Sequence, residues 1–306
     1  MKQTLIVVIF FLWIFNLKAG NPKRIVYYQN DSVRLEMDIY IPVASVKDSS
    51  RPLFIYVHGG GFASGNRSDG YKICKYLADK GFVSATISYT LYMKDKSFSC
   101  DGVVSEKIKA IRYGVNDLWL ATEYLIDHKD EYGIATSKIF IGGCSAGAET
   151  VLQAAFWDYD LMNWSDKKLP DGFKYAGVIA GAGAIMDINL ITRKNLLPVM
   201  MFHGTCDNLV PYGTAAHHFC KTDASGWLMF FGSYTIYEQV LKLGGSVSMN
   251  TYCNGGHEYA NYLFENDLEI AYSFMLEVLQ GLKTQHHSVI ETGKQCDQKE
   301  SPVHCP

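Results

Sequence analysis

The sequence predicts an α/β fold, a mostly parallel central sheet with helices on both faces. Three observations carry this. Short apolar runs alternate with stretches of helical spacing along most of the chain. The run Leu53 to Val57 is apolar without a break, as suits a central strand buried on both faces. Lys138 to Gly142 passes through a glycine-rich turn directly into the helical stretch Ala146 to Phe156, so strand, turn and helix succeed one another without a loop.

The elements come in a regular order. Val33 to Ile41 alternates apolar and polar residues like a half-buried strand, and Ile25 to Tyr28 can pair with it as a hairpin. This hairpin would add antiparallel strands at the N-terminal edge of the sheet. After Leu53 to Val57, Tyr71 to Lys80 reads as a helix stopped by Gly81, and Val83 to Tyr89 as the next strand. Glu106 to His128 has helical spacing through Ile108, Ile111, Val115, Leu118, Ala121 and Leu125, with Gly114 as a local weakness. Further strands are expected at Ala176 to Ala180, Val199 to His203 and Ser248 to Cys253, and helices at Ile236 to Leu243 and Glu258 to Leu279. Strands that alternate with helices imply right-handed crossovers. Residues 284–306 are polar and are expected to form a loosely packed tail after a catalytic domain spanning 20–283.

Four segments carry chemistry, and each comes after an expected strand. Gly143-Cys144-Ser145-Ala146-Gly147 matches GxSxG between strand and helix. So tight a turn forces Ser145 into a strained conformation and sets its hydroxyl at a helix N-terminus, where developing negative charge is favoured. His58-Gly59-Gly60-Gly61-Phe62 offers backbone N–H groups with no side chain in the way, as an oxyanion needs. A phosphate loop would require Lys-Ser/Thr after the glycines, and the sequence has none there. Asp207 begins a turn after Val199 to His203, and His257 stands in the loop after Ser248 to Cys253. An isolated Asp in a turn usually caps something, and an isolated His is usually solvated. The order Ser, Asp, His at successive strand ends makes a nucleophile–base–acid set the stronger reading.

These motifs resemble those of the hormone-sensitive-lipase-like carboxylesterases, within the α/β-hydrolase superfamily. The resemblance runs from about Leu35 to Leu279 and rests on HGGGF at 58–62, GCSAGA at 143–148, HGTCDNLVP at 203–211 and GGHE at 255–258. It implies an α/β-hydrolase fold, with Ser145 as nucleophile, Asp207 as acid and His257 as base. It also implies oxyanion donors from the N–H groups of Gly60, Gly61 and Ala146, and no cofactor. The chain departs from the family in two places: Cys144 stands where Asp or Glu is usual, and Ala148 where Gly is usual. Cys144 is thereby a rival nucleophile, but its flanks, Gly142 and Ala146, match the turn pattern less well. A serine peptidase of the same fold is one alternative; such peptidases usually carry a large extra domain. A catalytically dead binding protein is another, although no triad residue is missing.

The remaining features bound the function. The chain has 306 residues, 48% of them hydrophobic and 19% charged, with a net charge of -3. This fits a globular domain and gives no sign of a nucleic-acid partner. Lys2, an apolar stretch from Leu5 to Phe15 and a small residue at Ala19 together read as a secretory signal peptide over residues 1–19, too short for a comfortable membrane span. An exported protein meets an oxidising compartment, so some of the eight cysteines are expected to pair. Cys144 should be a free buried thiol, which leaves an odd number; Cys206 with Cys220 and Cys296 with Cys305 are the nearest pairs in sequence. No CxxC and no zinc-ligand spacing occurs, so no metal is expected.

Two interruptions, Tyr92 to Gly102 and Asp158 to Gly172, come after a strand and after the nucleophile helix. Placed at strand carboxyl ends they would line a pocket. Phe62, Met93, Phe98 and Trp164 are then candidate substrate contacts, with plain surface connections as the alternative. The aromatic residues suit a small or aromatic acyl ester, such as one carried on a carbohydrate. The loop lysines Lys94, Lys96, Lys167 and Lys168 make poor platforms for bilayer contact.

Overall fold

A computed structural model of the protein describes residues 20–43, 50–166, 168–296 and 305. The expected signal segment at 1–19, and Lys167, lie outside the described residues. Among the described residues nine strands form one sheet: β1 (Lys23–Gln29), β2 (Arg34–Tyr40), β3 (Arg51–Val57), β4 (Val83–Ile87), β5 (Ile134–Cys144), β6 (Gly177–Gly181), β8 (Val199–Gly204), β11 (Val247–Cys253) and β12 (Gln285–Glu291). A small second sheet joins β7 (Ala184–Ile185), β9 (Thr214–Ala216) and β10 (Met229–Gly232). The strand order of the large sheet is β1-β2-β4-β3-β5-β6-β8-β11-β12. The β1–β2 and β2–β4 pairings are antiparallel, and every pairing from β4 to β12 is parallel. The expected architecture, with its antiparallel N-terminal edge, is therefore present.

The helices are α1 (Tyr71–Asp79), α2 (Val104–Asp127), α3 (Lys129–Tyr132), α4 (Ala146–Phe156), α5 (Tyr159–Met162), α6 (Ser233–Lys242), α7 (Tyr262–Glu265) and α8 (Leu268–Leu279). None among the described residues is long and apolar enough to cross a membrane. Strand β3 shows why both faces are covered. Leu53, Ile55 and Val57 pack into the core shared with α2, α4 and α6, while Phe54 and Tyr56 pack against α1, α7 and α8. All five side chains are fully buried. Gly114 sits inside α2 because α4 passes close by: a Cβ there would lie 2.8 Å from Thr150 Oγ1.

Three expectations need correction. The polar segment after residue 283 is no loose tail. Gln285–Glu291 adds β12 in parallel register to β11, and Cys296 and Cys305 are each bridged to the body of the domain. The disulfides are Cys100–Cys220, Cys206–Cys296 and Cys253–Cys305, not the two local pairs suggested by sequence proximity. Folding sets bridge partners by spatial approach, with Cα–Cα separations of 5.2 to 5.9 Å here. Finally, the expected helix over 258–279 is broken. A single turn of 3₁₀-helix at His257–Tyr259 precedes α7, and Asn266-Asp267, poor helix formers, separate α7 from α8.

Candidate active site

The turn between β5 and α4 holds Ser145 at φ 53° and ψ −125°, a region that non-glycine residues rarely occupy. The close packing around it requires its glycines. A Cβ on Gly143 would lie 2.6 Å from the backbone of Gly147, and one on Gly147 only 2.1 Å from the carbonyl oxygen of Val57. Strand β3 and helix α4 thus meet backbone to backbone, and Ser145 is lifted out at the carboxyl edge of the sheet. Its own N–H donates to Gly181 O at 2.8 Å, which ties the turn to β6.

Asp207 and His257 reach the same place from the ends of β8 and β11. His257 Nε2 lies 2.9 Å from Ser145 Oγ, and His257 Nδ1 lies 2.7 Å from Asp207 Oδ2. Asp207 is fully buried, and its other oxygen, Oδ1, accepts from the N–H groups of Leu209 at 2.8 Å and Val210 at 3.0 Å. Burial alone would raise its pKa, but donation from His203 and His257 and their charges hold the carboxyl far below the usual range. His257 is pulled down by burial, yet the hydrogen bond and charge of Asp207 outweigh that and raise it above the ordinary imidazole value. The His257 imidazole is thus oriented by an ionised carboxylate and faces a serine hydroxyl within hydrogen-bond reach.

The glycine loop stands opposite. Gly60 and Gly61 have φ values of 109° and 60°, and a Cβ on Gly60 would lie 2.2 Å from Ser64 O. Among the described residues, no protein acceptor takes the N–H groups of Gly60, Gly61 or Ala146. His58 turns away from Ser145: its Nδ1 contacts Gly59 O at 2.7 Å and its ring stacks on Tyr89 at 4.4 Å. Cys144 is a free, buried thiol, as expected, in contact with Tyr56 Oη at 3.3 Å. Burial pushes its pKa up to about 11, so it is a thiol, not a thiolate, at neutral pH.

A cleft of about 560 Å³ opens over Ser145, lined by Gly60, Gly61, Phe62, Phe98, Ala146 and His257 among others. Phe62 and Phe98 are therefore where the sequence suggested. Met93 and Trp164 are not. Met93 is buried in the core, where its N–H donates to Phe62 O at 2.9 Å. Trp164 is half exposed and packs on Tyr113 and the Arg112 guanidinium. The reason is geometric. Helix α4 runs away from the carboxyl edge, and its eleven residues carry the next loop about 16 Å from Ser145. That loop instead borders a separate cavity of about 450 Å³ with Trp119, Trp157 and Phe173. Sequence reasoning also missed Glu149, His217, His218 and His203. Glu149, four residues after Ser145, was within reach of helical periodicity. The two adjacent histidines belong to a segment with no motif.

Comparison with known proteins bears on the family and the fold. The BD-FAE family model matches residues 37–191, half of the chain. Gut esterase 1 of Caenorhabditis elegans is 27% identical over 143 residues, 45% of this chain and 24% of its own length. An acetyl esterase of Salmonella schwarzengrund is 27% identical over 120 residues, 39% of this chain and 33% of its own length. The alignments thus span a third or less of these curated relatives. Among solved structures, Thermogutta terrifontis esterase 2 phosphonylated by cyclosarin superposes with a TM-score of 0.64 at 19% identity, covering 84% of this chain and 94% of that one. At that identity the likeness establishes the fold. The chain belongs to the BD-FAE family and shares the fold of that esterase structure.

Proposed function

We propose that the protein is a serine carboxylesterase that cleaves short-chain or aromatic acyl esters through an acyl-enzyme, with Ser145, His257 and Asp207 as its triad. The observation that carries this is the unbroken chain from Ser145 Oγ to His257 Nε2 and from His257 Nδ1 to Asp207. His257 Nε2 takes the hydroxyl proton as Ser145 Oγ attacks the ester carbonyl carbon. The oxyanion that forms accepts from the amides of Gly60, Gly61 and Ala146. Collapse breaks the bond to the alcohol oxygen, which leaves with the proton from His257. Water then gives a proton to His257 and attacks the acyl carbon, and collapse of that intermediate frees the acid and returns the proton to Ser145. Asp207 stays ionised throughout and stabilises the imidazolium.

The finer assignment, an acetyl or feruloyl type of ester on a carbohydrate, is supported by the aromatic walls Phe62 and Phe98 and by the moderate cleft volume. We also place the protein in an exported, oxidising compartment. Three disulfides support that reading. Purified protein should release p-nitrophenol from p-nitrophenyl acetate with burst kinetics, and an organophosphate should label the Ser145 peptide and stop turnover. Label on another residue, or no ester cleavage, overturns the proposal.

A further inference from the structure

The cleft over Ser145 is not apolar throughout. Besides Phe62 and Phe98 it is lined by Glu149, His217 and His218, which the hydrolytic steps do not use. Glu149 is 1% exposed and His217 4%. Glu149 Oε1 and His217 Nε2 pair at 2.9 Å, and among the described residues His217 Nδ1 and His218 Nδ1 have no hydrogen-bond partner. Buried polar atoms are almost always satisfied, so two unpartnered ring nitrogens on one cavity, beside the Glu149 carboxyl, mark a place where a ligand supplies the partner.

The trio is held firmly in register with the nucleophile. Glu149 lies on the first turn of α4, and its N–H donates to Ser145 O at 2.9 Å. The opposite wall is strained: His218 and its neighbour Phe219 have φ values of 57° and 51°. Two successive left-handed residues persist only where the surroundings impose them. Here Cys100–Cys220 pins the segment to the Phe98 loop, while the N–H groups of His217 and His218 donate to Leu228 O and Leu209 O. Burial, aided by His217 and Lys107 nearby, pushes the pKa of His218 down to about 4, so its ring is neutral and has one nitrogen free to accept. Lys107 is also buried, and its Nζ donates to Gly226 O at 2.5 Å behind this wall.

We propose that Glu149, His217 and His218 form a polar specificity subsite for a hydroxyl-bearing moiety of the ester, so that short hydroxylated esters are preferred over alkyl esters of equal length. This rests on the esterase reading. The ligand hydroxyl donates to Glu149, and its oxygen or a neighbouring hydroxyl pairs with the imidazoles. Phe62 and Phe98, 5.1 Å apart, pack against the carbon skeleton. An alkyl chain in the same place leaves the polar atoms buried and displaces any water that served them, which is the strong form of discrimination. An anionic group meets the carboxyl of Glu149 and is disfavoured.

The test is kcat/KM on matched pairs. 3-Hydroxybutyrate against butyrate esters of one chromogenic alcohol probes the acyl side; glyceryl against propyl acetate probes the alcohol side. The hydroxylated member of one pair should be favoured on the order of tenfold to a hundredfold. Glu149→Leu and His217→Phe should each bring that ratio toward one; a ratio is independent of how much folded enzyme survives. Equal or better rates on both alkyl esters overturn the subsite and leave the esterase reading standing, as does a preference that both variants retain. Failure to cleave any of the four esters brings down both.

Discussion

His203 Nε2 lies 3.0 Å from Asp207 Oδ2, the same oxygen that His257 Nδ1 meets at 2.7 Å. His203 is fully buried, and its Nδ1 contacts Ser233 Oγ at 2.8 Å. Asp207 therefore serves two imidazoles, and donation from His203 dilutes the negative charge that His257 feels. His203→Leu should lower kcat on the order of tenfold to a hundredfold, the scale of one charged hydrogen bond. It should also move the acid limb of the pH profile upward, because His257 would then hold its proton against a more strongly basic carboxylate. An acid limb that stays in place would reduce His203 to packing.

Ser145→Ala should lower the turnover rate by a factor on the order of 10⁶ while the protein stays folded. Cys144→Ala should keep activity within about tenfold of wild type, since a thiol raised to about 11 supplies little thiolate at neutral pH. Circular dichroism and ester turnover check both variants together. The reverse pattern would make Cys144 the nucleophile.

The pH profile is set by two opposite shifts. His257 must be neutral to accept the serine proton, and its pKa is raised, so kcat/KM should fall tenfold per unit below an apparent pKa higher than 6.5. Asp207 is shifted the other way and remains ionised across that range. Its contribution to stability is present above the unfolded value and is lost in strong acid. A profile that is flat from pH 5 to 8 would contradict the role given to His257.

The bridge Cys100–Cys220 closes a separation of 120 residues and joins the Phe98 loop to the strained His217 segment. Replacing both cysteines by serine should cost about 2–5 kcal/mol of stability by chemical denaturation, as loss of a native disulfide commonly does. It should also raise KM, since one wall of the cleft is then free to relax. An unchanged KM would show that the wall is held by its backbone hydrogen bonds alone.

The strands and the strand-end positions of Ser145, Asp207 and His257 were legible because they depend on local rules. Leu53 to Val57 reads as a doubly buried strand, and the glycines around Ser145 admit few other packings. What stayed hidden depends on distance in space. Cys100 and Cys220 are far apart in sequence and meet through the fold. The segment Gln285–Glu291 carries two histidines, a serine and a glutamate, because an edge strand pairs on one side only and is half exposed; its polarity disguised it as a tail. Trp164 looked like a pocket residue until the direction of α4 placed it elsewhere. Glu149 could have been noticed as one helical turn beyond Ser145. Its partner His217 comes from a segment whose conformation no periodicity announces.

Asp117 offers a stability test remote from the chemistry. It lies on α2, is 5% exposed, and its Oδ2 accepts from the N–H of Thr90 at 2.6 Å. Burial pushes its pKa up to about 7, with the Thr90 hydrogen bonds acting in the opposite direction. A carboxyl raised in the folded state opposes folding once it ionises. The penalty is absent below the unfolded value near 3.9, grows through the interval up to 7, and is complete above it. Asp117→Asn keeps an acceptor for Thr90 and removes the charge. It should stabilise the protein by about 1–3 kcal/mol at pH 8, within the limit of ~4 kcal/mol that such a shift allows, and by nothing at pH 4. Urea denaturation of both proteins at the two pH values checks this. Equal stability at pH 8, or a gain of the same size at both, would mean that the buried carboxyl is not what the wild type gives up at neutral and alkaline pH.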